Sequence, residues 1–176
     1  MSSRPLRADA RRNRARILAA AEEVFAARGA AASTEEVAAA AGVAIGTVFR
    51  HFPTKQDLLS AILKDVLAEL DAAAATDDLF AFFSRVVTVA AEKKFVVALL
   101  AGHGVEVEVA GAVQALADTI GGLLREAKEA GQVRDGVQLD EVLALLTAAG
   151  QGALHGGWSL DLRSRTLEVI FAGLRR

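Results

Sequence analysis

Apolar side chains recur at helical spacing along nearly the whole chain, and that periodicity divides it into a series of helices. Ile17, Leu18, Ala21, Val24 and Phe25 fall at i, i+1, i+4, i+7 and i+8, one face of a helix running from about Arg7 to Arg28 and stopped by Gly29. Ahead of it, residues 1–6 read as a disordered basic arm. Ser33-Thr34-Glu35-Glu36 has the spacing of a capping box, in which Ser33 accepts from the Glu36 backbone and the Glu36 carboxylate reaches back. The short helix it opens ends at Gly42, a residue free to take the left-handed conformation of a sharp turn. A third helix, Ile45–His51, is closed by Pro53. Thr54 then caps a long helix from Lys55 to about Ala75, with Leu58, Leu59, Ile62, Leu63, Val66, Leu67 and Leu70 as its apolar stripe.

The pattern continues beyond the Thr76-Asp77-Asp78 break. Leu79–Lys93 and Lys94–Ala101 read as helices parted by a weak kink signal, and Gly102-His103-Gly104 interrupts the chain. Val105–Val109 alternates apolar and charged residues like a strand. Val105, Val109, Ala112, Val113, Leu116 and Ile120 keep helix spacing over a longer stretch, and the longer pattern prevails. That helix ends near Ala130-Gly131; others run from about Leu139 to Leu154 and from about Leu160 to Leu174. No repeat of solenoid length is present.

Composition sharpens this picture. Ala accounts for 38 of the 176 residues and Pro for 2, a bias toward the best helix former and away from the worst, so the expected fold class is all-α. With 53% hydrophobic residues the chain can bury a core, which excludes a disordered protein. The absence of Cys excludes disulfide-stapled and Cys-ligated zinc folds and fits a reducing cytoplasm. Val142–Leu160 is uncharged for 19 residues, the length of a membrane span, but four glycines, Gln151 and His155 interrupt it. A buried helix followed by a turn fits better, and no membrane association is expected. No apolar segment follows the charged start, so no signal peptide is read and the expected location is the cytoplasm.

Net charge is −2, which conceals an asymmetry. Residues 1–60 carry nine Lys/Arg against six Asp/Glu, residues 61–176 eleven against sixteen, and residues 1–16 six Arg against one Asp. A basic end on a slightly acidic body points to a local anionic partner. The succession of helix, glycine turn, short helix, proline stop and long helix over Ser33–Leu59 has the form of a helix-turn-helix. A major groove about 12 Å wide admits one helix, which must be slim and must not oppose carboxylates to phosphate. Ala44–His51 meets both conditions: Gly46 permits close backbone approach, and Arg50 is the segment's one charged side chain. Thr47 offers a hydroxyl and a methyl, Ala44 and Ile45 offer apolar contact, and Arg50 suits guanine or phosphate. His51 and Lys55 can clamp phosphates, Lys55 from a helix N-terminus; Ser33 and Thr34 can do the same from the helix before. Arg11, Arg12 and Arg14 can reach the DNA backbone or minor groove. Val37, Val43, Val48 and Phe52 read as core, and Phe49 as part packing, part backbone positioning.

These residues closely resemble the TetR family of transcriptional repressors. Val37-Ala38, the Ala41-Gly42-Val43 turn, Gly46-Thr47, Phe49, His51-Phe52-Pro53, Lys55 and Leu58-Leu59 carry the match, over about residues 11–60. The remainder is similar only in length and helical character. The resemblance implies a basic arm (1–10), a DNA-binding domain (11–70, motif 33–52) and a helical effector-binding and dimerisation domain (71–176), linked by the long helix from Lys55. It further implies a homodimer formed by the last two helices, a palindromic operator in double-stranded DNA, and release by a small-molecule ligand. Two positions depart from the pattern. The family commonly has Ser or Thr where Ala44 stands, so a helix cap worth about 0.5–2 kcal/mol is missing. It usually has Tyr at Phe49, which keeps the packing and lacks the hydroxyl.

Physical reasoning supports dimerisation. Leu139–Leu154 is apolar on nearly every side, Gly150, Gly152 and Gly156 would admit a close neighbour, and Leu160, Leu167, Ile170, Phe171 and Leu174 supply the facing surface. Candidate linings of a ligand pocket are Phe80, Phe83, Val87, Phe95 and Leu99, with His103, Glu106, His155 and Trp158 as the more polar members. Such a set suits an apolar or aromatic effector. His103 and Glu106 have metal-ligand spacing without further clustered ligands, so neither metal nor cofactor is expected. No nucleophile elbow, P-loop, zinc-protease or dinucleotide motif is present, which argues against an enzyme. A DNA-binding structural protein without sequence choice and a helical small-molecule carrier are the alternatives.

Overall fold

The structure, a computed structural model, describes residues 4–93 and 106–176. It is all-α, as the alanine-rich composition and the 3.6-residue periodicity require. In chain order the helices are α1 (Arg4–Arg28), a short 3-10 turn (Gly29–Ala31), α2 (Thr34–Ala41), α3 (Ile45–His51), α4 (Lys55–Ala74), α5 (Leu79–Glu92), α6 (Glu106–Glu129), α7 (Leu139–His155) and α8 (Leu160–Leu174). α1 begins at Arg4 rather than Arg7, so the described part of the expected arm is helical. Pro5 is tolerated because the N–H it lacks has no partner in a first helical turn. α6 is helical from Glu106, as the longer of the two competing patterns demands. The expected helix Lys94–Ala101 and the break at Gly102-His103-Gly104 lie outside the described residues.

The chain forms two compact units, whose described parts are residues 4–65 and residues 66–93 with 106–176. In the first, α1 packs on α2 and α2 on α3. Its core holds Ile17, Ala21, Phe25, Val37, Val48, Leu58, Leu59 and Ile62, all wholly buried. In the second, α5 is central, packing on α7 and α6, while α7 also meets α6 and α8. Phe171 of α8 stands edge-on to Phe80 and Phe83, with ring centroids 5.0 and 5.5 Å apart, an arrangement that aromatic quadrupoles favour. The Arg175 guanidinium lies 4.8 Å from the Phe80 ring centroid. The Arg134 amide donates to the Leu174 carbonyl at 3.1 Å and the Arg176 amide to Gln132 at 3.2 Å, which ties the last residues to the α6–α7 connection. Asp78 caps α5 by accepting from the Ala81 amide at 2.8 Å. Arg85 donates to its neighbour Asp77 at 2.7 and 3.3 Å, and that hydrogen bonding holds the Asp77 carboxyl below its ordinary range.

The uncharged run Val142–Leu160 is divided between α7 and the turn before α8. Among the described residues no helix is long and apolar enough to cross a membrane. The α7 glycines sort differently from the expectation that all would admit a neighbouring helix. Gly152 and Gly156 leave room for the indole of Trp158 from the same chain. A Cβ at Gly152 would lie 2.3 Å from Trp158 Cζ2, and one at Gly156 would lie 2.8 Å from its Nε1. At Gly150 a Cβ would meet nothing within 4 Å.

Gly152→Ala should therefore displace the only Trp of the chain, giving a red-shifted emission and a stability loss of roughly 1–3 kcal/mol by urea denaturation. Helix propensity alone favours Ala by about 1 kcal/mol, so a loss isolates the clash. An unshifted spectrum with raised stability would contradict the indole's position.

Candidate nucleic-acid interface

α3 is seven residues long, and its orientation comes from what it buries. Val48 is wholly buried and Phe52, just past its end, is nearly so. Those anchors turn Ile45, Gly46, Phe49 and Arg50 outward, with Thr47 and His51 half-buried beside them. Ala44 stands at the N-cap with no side-chain hydrogen bond, as its lack of a hydroxyl implies. Its carbonyl accepts from the Thr47 amide at 2.8 Å.

The turn before α3 depends on Gly42, whose φ of 62° and ψ of 41° lie in the left-handed region. Arg16 of α1 braces this turn, donating from Nη2 to the Ala41 carbonyl at 2.6 Å. A cation at the carbonyl end of α2 also opposes that helix's negative pole. At the other end of α2, Ser33 Oγ accepts from the Glu36 amide at 3.2 Å and the Glu36 carboxylate accepts from the Ser33 amide at 2.9 Å. Glu36 is further paired with Arg28 at 2.8 Å. Thr54 caps α4 by the same reciprocity: its hydroxyl donates to Asp57 Oδ2 at 2.7 Å and accepts from the Asp57 amide at 3.1 Å. The carboxylates flanking α3 in sequence are thus engaged in caps, and the exposed α3 face carries Arg50 and no carboxylate.

The other residues singled out in the sequence fall in varied places. Lys55 Nζ donates to the Ala32 carbonyl at 2.8 Å and lies 5.4 Å from the Phe25 ring centroid, so it fastens α4 to the α1–α2 connection. Arg14 lies 5.7 Å from the Phe52 ring centroid and 3.8 Å from Asp65. Arg12 is paired with Asp9, Arg11 is exposed, and the Thr34 hydroxyl donates to Glu35 at 3.4 Å. Arg16, which no sequence motif marks, is the residue that shapes the turn. Its partners are 25 and 26 residues away, and its one local signal is its place among the arginines of α1.

In the second unit, Phe80, Phe83 and Val87 belong to the core. Trp158 occupies the glycine notch, and His155 is exposed in the last turn of α7. Phe95, Leu99 and His103 lie outside the described residues, and of Glu106 only its place at the start of α6 is described. A partly open hollow of about 190 Å³ lies elsewhere, lined by Leu67, Ala68, Leu70, Asp71, Phe82, Ala115, Leu116 and Thr119. Of the expected pocket residues whose side chains are described, Phe80, Phe83, Val87, His155 and Trp158, none lines it. Among the described residues no group of His, Cys, Asp or Glu is placed to hold a metal ion.

Comparison with known proteins agrees with this architecture. The family model for bacterial regulatory proteins of the tetR family matches residues 17–62, and the model for the C-terminal domain of SbtR-like transcriptional regulators matches residues 74–176. A TetR transcription regulatory protein from Mycobacterium vanbaalenii is 39% identical, with a TM-score of 0.77 over 98% of this chain and 100% of that one. The TetR transcriptional regulator SCO0520 from Streptomyces coelicolor is 27% identical, with a TM-score of 0.70 over 92% and 98%. NalD, the secondary repressor of the MexAB-OprM multidrug efflux pump in Pseudomonas aeruginosa, shares the fold at 22% identity, with a TM-score of 0.65 over 96% and 98%. Curated protein sequences give no match. A helix-turn-helix head followed by an all-helical unit defines a DNA-binding regulator of transcription rather than an enzyme. The chain belongs to the TetR family.

Gly42→Ala should lower stability by about 1–2 kcal/mol, because a side chain there meets a left-handed backbone and its Cβ would lie 2.9 Å from Arg16 Nη2. Gly42→Asn, better suited to that backbone, should lose less. Denaturant melts of the two variants check the order; equal stability of Gly42→Ala and wild type would contradict the turn geometry.

Proposed function

We propose that this regulator is a repressor that binds a palindromic operator as a homodimer and leaves it when a small apolar or aromatic molecule binds the second unit. The observation that carries the reading is the exposed face of α3: slim, held by a buried Val48, and bearing one cation and no carboxylate. In this reading α3 enters the major groove, and Ala44, Ile45, Gly46, Thr47 and Arg50 meet base edges while Phe49 packs along the strand. Ser33, Thr34, His51 and Lys55, with Arg11, Arg12 and Arg14, supply phosphate contacts. Lys55 and Arg14 also hold the head together, which shifts more of the phosphate contact to Arg11 and His51.

One short helix reads few bases, and a twofold pair reads a palindrome with half-sites about one turn apart. The covering surface for a second copy is the outer side of α7 and α8. α8 buries Leu167, Phe171 and Leu174 within the chain, yet Leu162 and Val169 remain 40% and 74% exposed. α7 exposes Ala144 and Ala148, and Gly150 has space for a close neighbour. The hollow of about 190 Å³ is the candidate effector site. It is smaller than the about 300–1,000 Å³ of drug-sized pockets, which favours a small ligand. α4 contributes Lys55 to the first unit and Leu67 and Leu70 to the hollow, so a ligand that prefers one arrangement of α4 biases operator binding. The cytoplasm, where the operator is, is the location that follows.

Selection of duplexes from a random pool by the full chain at physiological salt tests this reading. The expected outcome is a palindrome whose affinity falls steeply as salt rises. Val169→Glu should run as a monomer on gel filtration and bind a palindrome no better than a single half-site. A monomeric wild type with no preference among duplexes would favour the structural DNA-binding alternative.

A further inference from the structure

Gly46 lacks an internal reason to be glycine. Its φ is not positive, and a Cβ built on it would meet nothing within 4 Å. Ala is the better helix former, so the fold itself favours Ala there. Open space at Cβ is shared with Gly111, Gly136 and Gly173; on the exposed face of α3 it leaves room for something outside the chain to come close. The neighbours of Gly46 on the same face describe what that is. Ile45 is 36% and Phe49 43% exposed, two of the few large apolar side chains left in water, and they stand one turn apart on either side of Gly46. Of the outward residues Ile45, Gly46, Phe49 and Arg50, only Arg50 has a side chain that can hydrogen-bond.

A major-groove base edge displays one apolar group, the C5 methyl of thymine. We infer that α3 recognises a thymine methyl through Ile45, with Gly46 letting the base edge approach and Arg50 fixing a guanine. This deepens, and rests on, the reading of α3 as the groove helix. Ile45 and Arg50 are five residue steps apart, about 7.5 Å of rise along α3. The thymine and the guanine therefore belong to the same half-site, because Ile45 and Arg50 lie on one short helix. Phe49 extends the apolar strip and keeps water from the methyl contact.

The test uses the full chain and the duplex it selects. Each thymine is replaced in turn by deoxyuridine, which removes the methyl and leaves base pairing intact. One thymine per half-site should lose about fourfold in affinity, the equivalent of one buried carbon group. Ile45→Ala should abolish that loss and keep the guanine requirement; Arg50→Ala should do the reverse. Gly46→Ala should raise the melting temperature of the free protein and lower its affinity, opposite signs that a merely structural glycine would not give. If every deoxyuridine is tolerated, or the loss persists in Ile45→Ala, the methyl contact is refuted while α3 remains a groove helix. If the wild type binds no duplex at all, the groove reading fails and the methyl contact falls with it.

Discussion

The arrangement depends on how a helix of seven residues is held. Isolated helices shorter than about 12–15 residues are marginal in water, so α3 has no orientation of its own. It acquires one because Val48 and Phe52 are buried, and because the preceding turn is set by a left-handed Gly42 against the Arg16 guanidinium. Arg16 acts on three things at once. It satisfies a carbonyl at the end of α2, opposes the negative pole of that helix, and occupies the space that any side chain at position 42 would enter. Together with the buried anchors, these contacts set how α3 leaves α2 and so which of its faces is outward.

The glycines separate into three physical kinds, and the separation runs through both units. Gly42 is required by backbone conformation. Gly152 and Gly156 are required by space, because an indole lies on them. Gly46, Gly111, Gly136, Gly150 and Gly173 are required by neither, and of these Gly46 and Gly150 sit on the two surfaces to which a duplex and a second copy are assigned. Most large exposed apolar residues follow the same division: Ile45 and Phe49 flank Gly46, and Leu160, Leu162 and Val169 lie on α8, while Val113 stands apart on α6. Clustered apolar exposure of this kind marks a surface that an external partner can cover.

Much of this was legible in the sequence, for reasons that differ by element. α3 spans Ile45–His51 in both the periodicity and the structure, because a glycine turn and a proline stop are local signals. The Ser33–Glu36 and Thr54 caps were legible because a cap is written within four residues. The all-α class followed from composition. What escaped is tertiary. Nothing local marks Arg16 as the brace of a turn 25 residues away, turns Lys55 toward Ala32, or folds Trp158 onto Gly152. The hollow escaped because Leu67, Phe82 and Leu116 come from three helices, and aromatics chosen by spacing, such as Phe80 and Phe83, pair with Phe171 in the core instead.

The central claim is that the outward face of α3 meets a duplex while its inward face only holds the helix in place. Hydrogen–deuterium exchange of the full chain, with and without selected duplex at physiological salt, measures this directly. Protection should rise over Ala44–His51 and at the start of α2. Equal exchange in this segment with duplex bound, or protection confined to α7 and α8, would contradict the account.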